Sequence, residues 1–93
     1  KGVDALFVGI ADLSVNVGMP QSSPEVAQLI SGVAVAARSA GLPLGGPAGT
    51  SVDAVQSMVD RDFTFVVQSN DASMFGAAAT AAVAAGRSVT FSP

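Results

Sequence analysis

Apolar positions along the chain fall into short unbroken runs that alternate with longer stretches of helical spacing. Ala5-Leu6-Phe7-Val8 is uninterrupted and reads as a strand buried on both faces, spanning about residues 4–9 and ended by Gly9. Val15 to Ser23 is rich in turn formers and reads as a loop. Ser23-Pro24-Glu25 then opens a helix, with Ser as N-cap, Pro at the first helical position and an acid in the first turn. Val26, Leu29, Ile30, Val33 and Ala37 follow at helical spacing, and Gly41 supplies a left-handed cap, which predicts a helix over 24–40. Leu42-Pro43-Leu44-Gly45 is a short strand and Gly45 to Thr50 a loop. Ser51 caps a second helix over 52–61 that carries Val52, Val55, Met58 and Val59. Residues 63–68 form the most evident strand, aromatic and β-branched. Asp71 caps an alanine-rich helix over 72–85, which Gly86 ends. The tail from Arg87 to Pro93 has strand-like Val89 and Phe91 with no partner to pair with.

This order, β-α-β-α-β-α, predicts an α/β fold of parallel strands joined by right-handed crossovers. A (β/α)8 TIM barrel, a flavodoxin-like sheet and a Rossmann sheet share that local pattern. Three units are less than half of a barrel of roughly 250 residues, and three strands alone leave two sheet edges open. Composition narrows the picture. Of the 93 residues 49% are apolar and only 12% charged, few for a small free-standing domain with so much surface. The chain opens on Lys1-Gly2-Val3-Asp4, without an initiator Met, directly before a strand. The expectation is a single partial domain over 1–93, the C-terminal portion of a larger barrel or sheet whose faces something else covers, or a chain with its N-terminal half missing.

Charge and residue usage exclude several classes. The net charge is −3, and the basic residues Lys1, Arg38, Arg61 and Arg87 are scattered, so no stripe for nucleic acid exists. Cys and His are both absent, which removes disulfides, Cys/His zinc sites and any His-based triad within the chain. Lack of Cys is compatible with a cytoplasmic location. The longest low-polarity stretch, Ala77 to Ala85, is too short to span a bilayer, and no signal peptide is visible.

Among candidate site residues Asp12 leads. It is the one carboxylate between Asp4 and Glu25, and it follows the carboxyl end of a strand, where α/β proteins place metal ligands and catalytic groups. The plainer reading is a turn or helix cap. Ser14 and Asp71 read as local caps, and Gln68 either faces a pocket or satisfies nearby backbone. Gly45 to Thr50 lacks the Gly-Lys-Ser/Thr ending and the basic residue of a phosphate loop. Met58, Met74 and Phe75 read as core or interface.

The segment Gly2-Val3-Asp4-Ala5-Leu6-Phe7-Val8-Gly9-Ile10-Ala11-Asp12-Leu13-Ser14 resembles the HpcH/HpaI aldolase family, whose wording there is G-V-D-x-x-F-[IV]-G-P-[AS]-D-L-[SA]. Ser23-Pro24-Glu25-Val26 stands where the family has H-P-E-V. Ala40 to Gly45 resembles its seventh strand, and Phe65 to Asp71 its eighth, F-V-[AV]-x-G-x-D. The resemblance implies strands six to eight of a modified TIM barrel, from a class II pyruvate aldolase. It also implies that Asp12 is one of two acidic ligands of Mg²⁺ or Mn²⁺ and that the backbone at Gly9, Ile10 and Ala11 lies against a pyruvate carboxylate. The substrates implied are a 2-oxo acid and an aldehyde, and exchange of the eighth helix between subunits implies a homo-oligomer through the last helix. Departures occur at Ile10 for Pro, at Gly46-Pro47 for Ile-Leu, which alters the wall near the substrate, at Gln68 for a small residue and at Ser69 for Gly. The family's other acidic ligand, its Arg and its His belong to earlier strands and are not in this chain. Two readings follow: part of a carbon–carbon lyase or a related decarboxylase or cyclisation enzyme, or a non-catalytic oligomerisation or binding module. A flavodoxin-like nucleotide binder is opposed by the missing phosphate fingerprint.

Overall fold

The computed structural model describes residues 2–92; Lys1, in the opening segment, and Pro93, at the end of the tail, lie outside them. Seven elements follow in order: β1 (Leu6–Phe7), α1 (Ile10–Val17), α2 (Pro24–Ala40), β2 (Leu44–Ala48), α3 (Val52–Asp60), β3 (Phe65–Gln68) and α4 (Asp71–Arg87). The strands form a parallel sheet in the order β1-β2-β3. Phe7, Gly45 and Phe65 stand in one row across it, and Pro47 pairs with Val67. Alternating units on a parallel sheet are the predicted fold class.

Three of the helices begin on a side-chain cap. In α2 the Ser23 side chain accepts from the Val26 amide at 3.3 Å, Pro24 occupies the first position, and Gly41 closes the helix at φ 68°. Ser51 Oγ accepts from the Ala54 amide at 3.1 Å to start α3. At α4 the N-cap is Asn70, not Asp71: Asn70 Oδ1 accepts from the Ser73 amide at 2.8 Å, and Asp71 is the first helical residue. The helix also runs one residue beyond Gly86 to Arg87.

Two further expectations fail. The loop read over Val15–Ser23 begins as helix: α1 covers Ile10–Val17, its Ile10 and Leu13 pack on the core, and Gly18 ends it at φ 69°. Gly45 to Ala48, read as loop, is strand. Small residues are needed there. A Cβ on Gly45 would overlap the Phe65 ring, and one on Gly46 would lie 2.9 Å from the Met58 methyl carbon. Thr64 locks the entry of β3 to β2, its amide donating to Leu44 O at 2.8 Å while its Oγ1 accepts from the Leu44 amide at 3.1 Å.

The core lies on one face of the sheet. Val26, Ile30, Ala34 and Ala37 of α2 meet Val8, Leu44, Met58 and Phe63, with Leu6, Ala48 and Val66 packed against them. On the other face Phe7 (51% exposed), Phe65 (40%) and Val67 (52%) are uncovered, and the two rings meet at 6.2 Å. The strand of β1 is therefore not buried on both faces. Its ladder is also short, since Val3 to Ala5 are exposed at the sheet edge.

Among the described residues of α4 every one is exposed, and the helix buries none of them against the rest of the chain. It projects from the body, giving a molecule 70 × 27 × 22 Å with a radius of gyration of 18.2 Å.

Candidate functional site

The site region is the junction where β1 runs out and α1 begins. Gly9 is the N-cap of α1 (φ −79°, ψ 88°), and its carbonyl accepts from the Leu13 amide at 2.9 Å. The amides of Ile10, Ala11 and Asp12 precede that first intrahelical donor, so the helix geometry leaves them without intrahelical acceptors. Three successive amides at the positive end of a helix are suited to bind a carboxylate.

Asp12 is the third residue of α1, and its side chain folds back toward the helix start. A Cβ built on Gly9 would stand 2.9 Å from Asp12 Oδ2, so glycine is what lets the carboxylate lie over the N-cap. The carboxylate is exposed and, among the described residues, makes no hydrogen bond or ion pair. A first-turn acid is also favoured by the helix dipole alone. Among the described residues there is no group of three or more His, Cys, Asp or Glu side chains able to hold a metal ion.

The remaining expected site residues divide. Ile10 is half-buried against the core, and it shares with Pro47 a hollow of about 470 Å³ between α2 and α3, above the end of β2. Gln21, Ser22 and Arg61 also line it; sequence reasoning missed them, because nothing local in a loop or a helix end marks its neighbour across the fold. Gln68 is elsewhere. It lies on the same face of β3 as Val66, beside Val52, Val55 and Val59 of α3 in a separate hollow of about 310 Å³. Ser14 keeps the local role expected of it: its Oγ donates to Met19 O, fastening the end of α1 to the following turn. The Arg61 guanidinium carbon sits 5.9 Å from the centre of the Phe63 ring. No helix among the described residues is long and apolar enough to cross a membrane.

No protein-family model matches this chain, and no curated protein does. Three chains of solved structures match. One, an HpcH/HpaI aldolase from Desulfitobacterium hafniense DCB-2, superposes with a TM-score of 0.86 at 24% sequence identity. All of this chain is covered by that match, and it spans 37% of the aldolase chain. At that identity the likeness is one of fold. The chain has the fold of the portion of that aldolase it covers, alternating β-α units on a parallel sheet.

Proposed function

We propose that the chain is part of a divalent-metal-dependent carbon–carbon lyase acting on 2-oxo acids, and that Asp12 is its contribution to the metal site. The observation that carries this reading is the free carboxylate of Asp12 at the carboxyl end of a parallel strand, in a fold that superposes on an aldolase. Its chemistry fits Mg²⁺ or Mn²⁺, which take hard oxygen donors. It is a single donor, so the chain supplies one ligand and not a complete site. When bound, the cation would polarise the 2-oxo group and acidify the adjacent carbon. The residues of the chain have separable tasks. Asp12 offers its oxygen, the amides of Ile10 and Ala11 receive the substrate carboxylate, and Ile10, anchored in the core, fixes the start of α1 under both. Pro47 adds apolar wall at the end of β2.

Titration of Mn²⁺ with oxalate, a pyruvate-enolate mimic, into the chain and into Asp12→Ala tests this. Binding that the substitution abolishes, with circular dichroism unchanged, supports the assignment. Binding equal in both chains overturns it for Asp12.

A second reading, that the chain acts as an assembly module, rests on α4. This helix is apolar all round, with charges only at Asp71 and Arg87, and such helices belong inside a protein. Next to its origin, Val52, Val55 and Val59 of α3 and Gln68 of β3 line an open groove. Helix and groove lack partners of matching character, and insertion of α4 into that groove on a second copy satisfies both. Light scattering is expected to give a dimer or larger species, with Val59→Asp and Val83→Asp each monomeric and folded. A wild-type chain that is monomeric at all concentrations overturns the exchange.

A further inference from the structure

We draw no further inference here: the strongest candidate outside these readings, the uncovered apolar face of the sheet formed by Phe7, Phe65 and Val67, carries nothing because nothing in the structure shows what covers it.

Discussion

Ser69 sits at φ 62°, in the left-handed region that side chains disfavour, at the turn from β3 into α4. Its amide donates to Ala48 O at 3.0 Å, so the turn is held by backbone and the side chain brings no hydrogen bond of its own among the described residues. The aldolase pattern that the segment resembles has Gly at this place, a residue that takes this backbone angle without strain. Ser69→Gly is expected to stabilise the chain by about 0.5–1 kcal/mol, the left-handed penalty less the entropy glycine adds to the unfolded state. A urea midpoint that stays or falls would show that the serine is held there by contacts worth more than the strain. Asp62 has a similar angle, φ 68°, but its case differs. Asp tolerates that region better, and the Asp62 carboxylate is paired with Arg38. Both side chains of that pair are more than half exposed, so it contributes little.

At the scale of elements, α4 is the anomaly. It has 17 residues and none of them is buried, and isolated helices of roughly 15 residues are marginal in water even when rich in alanine. Amides of α4 are therefore expected to exchange with solvent far faster than those of α2 in dilute solution, and to gain protection as concentration rises. Protection independent of concentration would mean that α4 is stabilised within one chain. How much of this was legible in the sequence depends on where each signal is local. The helix α2 was readable to the residue, because Ser23, Pro24 and Gly41 are local stop and start signals. The strand β2 was read too early and too short, because Gly46-Pro47 looks like a turn until Met58 is seen pressing on Gly46. The helix α1 was missed: Asn16 and β-branched Val15 and Val17 argue for loop, while its support comes from packing by Ile10 and Leu13. The position of Asp12 past a strand was legible. That Gln68 parts from Pro47 was not, since it depends on which face of β3 the register turns toward α3.

The whole molecule stands on one thin core. Helix α2 provides half of its members, and Ile30 and Leu44 are each only 2% exposed. Domains of this size bury a smaller share of their surface than larger ones, and here one sheet face and one helix contribute no buried residue to the core. Ile30→Ala removes roughly 2–5 kcal/mol, comparable to all the stability such a core gives. The variant is expected to show no cooperative thermal transition, where the parent chain shows one. A clear transition shifted by only a few degrees would mean that stability comes from elsewhere, self-association included.

The projecting helix also governs how the molecule moves through solvent. A compact chain of 93 residues has a radius of gyration of about 12 Å, against the 18.2 Å found here. Friction follows shape as well as mass, so a lone 9.1 kDa molecule 70 Å long drifts and tumbles like a heavier sphere. Its elution volume on a gel-filtration column would mimic that of a dimer. If partners tuck the helix away, the assembly would be rounder than its parts, and doubling the mass would scarcely change the drag.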